Sequence, residues 1–303
     1  MEFHFLGTGS GIPSKSRNVS GLAVRFLQRK DIWLFDCGEA TQHQLLTSSI
    51  TLSKISHIFI THLHGDHIYG LPGLLSSRSA QGGQSKLTIY GPEGIKEFIE
   101  TTFKVSKTTL GYPIDYVIVK DDFKAYEQGI TITVKQLDHV IESFAYKLIE
   151  DDKPGSLLVD KLKNAGIKPG PIYKKIKEGE QVTLRNGETV HHADYVSSPV
   201  KGRQVVIVGD TRPITSLTPF IKNVDLLIHE GTFLDDRREH AKKYGHSTIK
   251  EVTHLAKSAN VQSLILTHIS SRYVDMEKEL LSEAEINFPQ AIIAYDHMIY
   301  KLM

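Results

Sequence analysis

Six residues constrain this chain more than any other stretch. They are His62-Leu63-His64-Gly65-Asp66-His67, and they follow the apolar, β-branched run His57–Thr61. Three imidazoles and a carboxylate so close together cannot all face one point from a regular helix or strand. On a tight loop leaving a strand, with Gly65 free to adopt an unusual backbone, they can splay toward two adjacent metal ions. Imidazole nitrogens suit zinc and other borderline metals, carboxylate oxygens suit harder ones, and the mixture is that of a hydrolytic site. Four ligands do not complete two coordination spheres, so others must arrive from elsewhere. His139 after ITITVKQLD, Asp210 after VVIVG and His268 after SLILT each end an apolar run. Strand C-termini are where open α/β sheets collect their ligands. Alone, each would pass for a surface residue; beside the motif, all three are candidate ligands.

The rest of the chain is consistent with such a scaffold. Strand candidates are Phe3–Leu6, Leu22–Leu27, Ile32–Phe35, His57–Thr61, Leu87–Tyr90, Tyr116–Val119, Ile130–Leu137, Phe144–Leu148, Val205–Val208, Leu226–His229, Ser263–Thr267 and Ala291–Tyr295. Helix candidates are Glu39–Ser48, Pro92–Phe103, Thr248–Ala259 and Val274–Ile286; the third opens with Thr248 and Glu251 in capping-box spacing. Many strands with helices distributed among them predict an α/β fold, an αββα sandwich of two mixed sheets between helix layers. The 303 residues are read as a single domain of this kind.

A 40% hydrophobic fraction and a 23% charged fraction are ordinary for a globular protein, and a net charge of +1 neither favours nor excludes a nucleic-acid partner. The single cysteine, Cys37, excludes an internal disulfide framework and fits a reducing compartment. The start MEFHFLGTGSGIP has no signal-peptide pattern, and no apolar run approaches the ~20 residues that span a bilayer. The expected setting is cytoplasmic, with no membrane contact.

Residues 151–180 break the rhythm. The stretch DDKPGSLLVDKLKNAGIKPGPIYKKIKEGE holds three prolines, four glycines and seven lysines between two strand candidates. A solvated loop is one reading. The other is an inserted, flexible basic arm with a helix at Leu157–Asn164, since long unstructured loops are uncommon and tend to be functional.

His-x-His-x-Asp-His followed by a downstream His, Asp and His resembles the metallo-β-lactamase superfamily. Within it, Pro13-Ser14-Lys15-Ser16-Arg17-Asn18 looks like the Pro-x-Lys-x-Arg-Asn loop of the ribonuclease Z family, which senses the tRNA 3′ end. His246-Ser247-Thr248 is similar to that family's His-Ser-Thr triplet. Lys168, Gly170 and Pro171 lie in an arm placed where the family carries its tRNA-gripping exosite. Gly209–Pro213 and His229–Thr232 match further signatures.

The resemblance implies His62, His64 and His139 on one metal, Asp66, His67 and His268 on the other, and Asp210 across both. It implies two zinc ions, with manganese also suitable, and a homodimer. The substrate it implies is precursor tRNA, cut to a tRNA 3′-OH and a trailer with a 5′-phosphate. Lys15, Arg17, Asn18, Lys168, Gly170 and Pro171 become candidate substrate contacts. Asp66 and His246 are the candidate catalytic groups. Asp66 would orient the attacking water, and His246 would neutralise charge or protonate the departing 3′ oxygen. Glu230 is a candidate orienting acceptor for an imidazole, with a buried structural carboxylate the alternative.

Other features point elsewhere. Gly7-Thr8-Gly9-Ser10-Gly11 lacks the third glycine of a dinucleotide loop, since that place is Ile12, and no Lys-Ser/Thr follows. Adjacent His191 and His192 would face opposite ways on an extended chain. The competing function is another hydrolase of the same fold, acting on small or cyclic phosphodiesters, which would not need a basic arm.

Overall fold

Along the strand Ile32–Phe35, Trp33 and Phe35 pack into one apolar cluster and Ile32 and Leu34 into another, and all four are buried. A strand apolar on both faces must lie between two layers. A computed structural model, which describes residues 1–303 apart from Lys30, Arg185, Asn186 and Glu188, shows what those layers are.

The first sheet contains β1 (Glu2–Gly7), β2 (Gly21–Arg25), β3 (Ile32–Phe35), β4 (Ile55–Phe59), β5 (Leu87–Gly91), β6 (Ile114–Ile118) and β14 (Ile299–Lys301). Its order is β14-β1-β2-β3-β4-β5-β6, antiparallel as far as β3 and parallel from there on. The second contains β7 (Lys124–Glu127), β8 (Ile130–Gln136), β9 (Phe144–Glu150), β10 (Gln204–Val208), β11 (Leu226–Glu230), β12 (Leu264–Thr267) and β13 (Ile292–Ile293). Its order is β13-β12-β11-β10-β9-β8-β7, with the β10–β13 half parallel and the remainder antiparallel. Both sheets are mixed.

Three apolar clusters fill the spaces between the layers. Phe3, Phe5, Trp33, Phe35 and Phe59 of the first sheet meet Ile132, Val134, Phe144, Tyr146 and Ile228 of the second. Outside the first sheet lie α1 (Thr41–Leu46), α3 (Leu71–Ala80) and α4 (Ile95–Ser106), which bury Leu45, Leu71, Leu74, Leu75, Ile95 and Ile99 against it. Outside the second lie α7 (Leu217–Ile221), α8 (Arg238–Tyr244), α9 (Ile249–Ser258) and α10 (Glu277–Asn287), which contribute Leu217, Ala241, Ile249, Val252, Ala256, Leu280 and Ala284. The result is the αββα sandwich. Thr248 caps α9 with the reciprocal pair its spacing announces: its side chain accepts from the Glu251 amide, and Glu251 accepts from the Thr248 amide.

Sequence pattern missed α3, whose LPGLLSSRSA has serines, a glycine and a proline in place of strong helix formers. Tertiary burial of its leucines overrides that weak propensity.

The inserted segment is longer than 151–180, running from the end of β9 to the start of β10. It holds α5 (Val159–Asn164), α6 (Pro171–Lys177), a pair of two-residue strands (Val182–Thr183 with Thr189–Val190) and a helical turn at His192–Tyr195. Its own small core is Leu162, Ile167, Ile176, Val182, Val190 and Val196. Its two ends are joined at the root by bridges between Lys153 and Val200 and between Leu157 and Val196. Among the described residues no helix is long and apolar enough to cross a membrane.

Candidate metal centre and active site

The candidate ligands all follow strand C-termini, and these gather at one rim of the sandwich. The motif follows β4, His139 follows β8, Asp210 follows β10 and His268 follows β12. The six-residue motif turns into α2 (Gly65–Ile68) at once. Two glycines let the neighbouring loop approach it closely. A Cβ on Gly38 would stand 2.2 Å from the Asp66 carbonyl oxygen, and one on Gly70 would stand 2.1 Å from that of Gly38. Backbone bonds from Cys37 to His67 and from Gly70 to Cys37 close the junction.

Ring nitrogens converge on two points. His64 Nδ1 lies 3.1 Å from both His62 Nε2 and His139 Nε2. His268 Nε2 lies 3.3 Å from both His67 Nε2 and Asp66 Oδ2. One oxygen joins the two groups: Asp210 Oδ2 is 3.6 Å from His62 Nε2, 3.6 Å from His67 Nε2 and 3.4 Å from His268 Nε2.

The outward nitrogens explain why the inward ones are available. His67 Nδ1 donates to Asp36 Oδ2 at 2.8 Å. His62 Nδ1 donates to Thr61 Oγ1 at 3.0 Å, because that hydroxyl spends its own proton on Asp36. His139 Nδ1 donates to the Gly245 carbonyl at 2.7 Å. His268 Nδ1 donates to Thr232 Oγ1 at 3.0 Å, and Thr232 in turn donates to Glu230. Each of these four rings is thereby held as the tautomer whose other nitrogen presents a lone pair inward. Lone pairs facing one another at ~3 Å repel, and a cation between them removes the repulsion. The spacing also matches that of ligands about 2.0–2.1 Å from a shared tetrahedral ion. The donor set fits divalent metal.

Burial depresses His64 and His139, and it holds His62 well below its ordinary value. For His67 the Asp36 and Asp210 carboxylates overcome burial and lift it well above. Burial would raise the Asp66 and Asp210 carboxyls. Histidines hold both low instead: His268 and His67 at Asp66, and His268, His67 and His62 at Asp210.

His246 lies beside this set, with its Nδ1 occupied by Glu230 Oε1 at 3.1 Å. Burial works against its charge, yet the Glu230 carboxylate overrides it and the imidazole is lifted to about 9. Glu230 is fully buried at the end of β11 and also receives the Thr211, Ser247 and Thr232 amides. It therefore orients the imidazole and also frames the Asp210 loop.

The loop at 13–18 is only partly exposed. Lys15 is exposed, but Arg17 is buried with its guanidinium donating to Thr8 Oγ1 and the Ala294 carbonyl. Asn18 donates through Nδ2 to the Glu39 carbonyl and through its amide to Asp296. Arg17 thus holds the loop from inside. The Gly11 amide, on the same segment, donates to Asp66 Oδ2 at 2.8 Å. Lys168, Gly170 and Pro171 are exposed on the inserted unit, whose core is separate from that of the sandwich.

Asp36 escaped the sequence reading. It follows β3 just as Asp210 follows β10, so a carboxylate at a strand end was the available signal. Its left-handed backbone (φ 54°) and that of His268 (φ 57°) are unusual for side-chain-bearing residues and cluster at the site.

Comparison with known proteins places this geometry among relatives. A family model described as Anti-Pycsar protein Apyc1 matches residues 1–155. A ribonuclease Z from Halalkalibacterium halodurans is 54% identical over 308 residues, covering 100% of this chain and 98% of the relative. One from Listeria monocytogenes is 52% identical over 304 residues, covering 100% and 99%. Among solved structures, the short form of human tRNase Z superposes with a TM-score of 0.72 at 28% identity, over the full length of both chains. The metallo-β-lactamase fold protein YhfI of Bacillus subtilis follows at 0.69 and 21% identity, covering 99% and 98%.

Proposed function

The chain belongs to the ribonuclease Z family and, over residues 1–155, to the one described as Anti-Pycsar protein Apyc1; on that premise we propose how its residues remove the 3′ trailer from precursor tRNA. It is a hydrolytic endoribonuclease acting on phosphodiester bonds. We assign two zinc ions, for which manganese can substitute, to His62, His64 and His139 and to Asp66, His67 and His268, with Asp210 across both. The observation that supports this most is the single Asp210 oxygen within 3.6 Å of ring nitrogens from both groups. Bound there, such a pair would activate a water and clamp the attacked phosphoryl oxygens.

The protein's own groups do the rest. Asp66, steadied by the Gly11 amide, orients the attacking water and accepts its proton. As the bond from phosphorus to the 3′ oxygen breaks, His246 offers its remaining ring N–H to the charge that develops there or to the departing oxygen. The products are a tRNA 3′-OH and a trailer bearing a 5′-phosphate. Lys15, Arg17 and Asn18 belong to the loop that meets the tRNA end, Lys15 by contact and Arg17 by holding the loop in place. The inserted unit, with Lys168, Gly170 and Pro171, grips the tRNA body through phosphates. The setting we propose is a cytoplasmic homodimer.

The test is cleavage-site mapping on a defined precursor tRNA beside turnover of bis(p-nitrophenyl) phosphate, with elemental analysis of the protein. We expect one cut at the 3′ end, both activities, and close to two metals per chain. Diester turnover without precursor cleavage would favour the small-phosphodiester function, and one metal per chain would remove the bridging role of Asp210.

A further inference from the structure

Tyr69 stands out among the large exposed side chains. It is 65% exposed, although it follows the metal-binding motif by two residues and immediately succeeds α2. Its ring lies against Gly65, between the ligands His64 and Asp66. A Cβ on Gly65 would meet Cε2 at 2.1 Å and Cζ at 2.4 Å, so any other residue would push the ring out of this position. The Phe98 ring is its aromatic neighbour, with centroids 6.4 Å apart and planes tilted by 31°. A second exposed apolar side chain, Ile12 at 69%, follows Gly11, whose amide reaches Asp66. Neither the metal geometry nor the proton transfers use Tyr69.

We propose that Tyr69 is a stacking platform for an unpaired nucleobase next to the scissile phosphate. This deepens the function proposed above and rests on it. A phosphate at the metal centre brings its flanking nucleotides close to Gly65 and to the ring packed against it. Single-stranded RNA is commonly held by stacking its bases on aromatic rings, which serves every base because each has a π-face. A paired base cannot unstack to occupy the ring, so the platform also selects for a single-stranded end.

The experiment uses the metal-loaded protein and two precursor tRNAs. One is intact, and the other is abasic at both nucleotides flanking the cut. On the intact precursor, Tyr69→Ala is expected to raise KM about 5- to 100-fold. Tyr69→Leu keeps the apolar volume without the π-face and is expected to lose nearly as much. Tyr69→Phe and Tyr69→Trp should stay near wild type. On the abasic precursor, wild type and Tyr69→Ala should be alike. An equal loss on both precursors, a failure of Tyr69→Phe to restore binding, or a change in oligomeric size in Tyr69→Ala would overturn the proposal. Absence of precursor cleavage by the wild type would sink the underlying function instead, so the two failures are distinguishable.

Discussion

The Glu230 carboxylate receives five donors, from the amides of Thr211, Thr232 and Ser247, the Thr232 hydroxyl and the His246 ring. A buried carboxylate so fully bonded cannot rotate, and His246 is fixed with it. His246→Ala should therefore lower kcat by about 10²–10⁴-fold, the scale of a positioned acid, while metal content stays unchanged. Loss of a metal in that variant would instead make His246 a ligand. Asp36 presents the complementary case: buried behind the imidazoles, it sets His67 directly and His62 through Thr61. Asp36→Ala should weaken metal affinity about 10- to 100-fold, as removal of an acceptor behind a ligating histidine does. Competition with a chelating dye reads this, and unchanged affinity would mean that packing alone orients the two rings.

At the scale of elements, the inserted unit invites excision. β9 and β10 pair as an antiparallel hairpin from Ala145 with Val208 to Ile149 with Gln204, and the insertion is the connection between them at the Ile149–Gln204 end. Replacing residues 155–198 with a short glycine-serine turn should leave that hairpin and the metal rim intact. KM for precursor tRNA should rise steeply, because binding remote from the chemistry has been removed. The salt dependence of binding should flatten as lysine–phosphate contacts disappear. Turnover of a small diester should not change. Equal damage to both activities would show that the unit supports the sandwich, and no damage to either would make it an ordinary surface insertion.

Across the whole molecule, the rim brings together loops that follow strands of both sheets. Four of the proposed metal ligands follow β4 in the first sheet, while His139, Asp210 and His268 follow β8, β10 and β12 in the second. Ions shared between those groups would therefore tie the two halves of the sandwich together, and binding to the folded state alone would add stability by mass action. With free metal 1,000-fold above its dissociation constant that contribution is about 4 kcal/mol. For a chain of this size, chelation should lower Tm by roughly 5–15 °C, and added zinc should restore it. An unchanged Tm would mean that the sandwich is held by its three apolar clusters alone.

Much of this was legible beforehand in local chemistry. Three histidines and an aspartate within six residues cannot all face one point from a single regular element, so the motif announces a break in the strand and a metal-binding chemistry without knowledge of any neighbour; the expected loop is only half right, because Gly65, Asp66 and His67 open the helix α2. Apolar runs likewise announce strands, because burial on both faces leaves a β-branched signature; every strand expected from such a run is present. What local chemistry could not supply was convergence over long sequence distance. Only the tertiary fold brings His67 to 3.3 Å from His268 and 2.8 Å from Asp36, and Glu230 to 3.1 Å from His246. Arg17 reads as a substrate contact in its motif, yet its guanidinium is claimed by Thr8 and Ala294 inside the fold. The extent of the inserted unit and the helix Leu71–Ala80 stayed hidden for the same reason. Their stability comes from apolar residues that meet only after folding, and no window of adjacent sequence contains both partners.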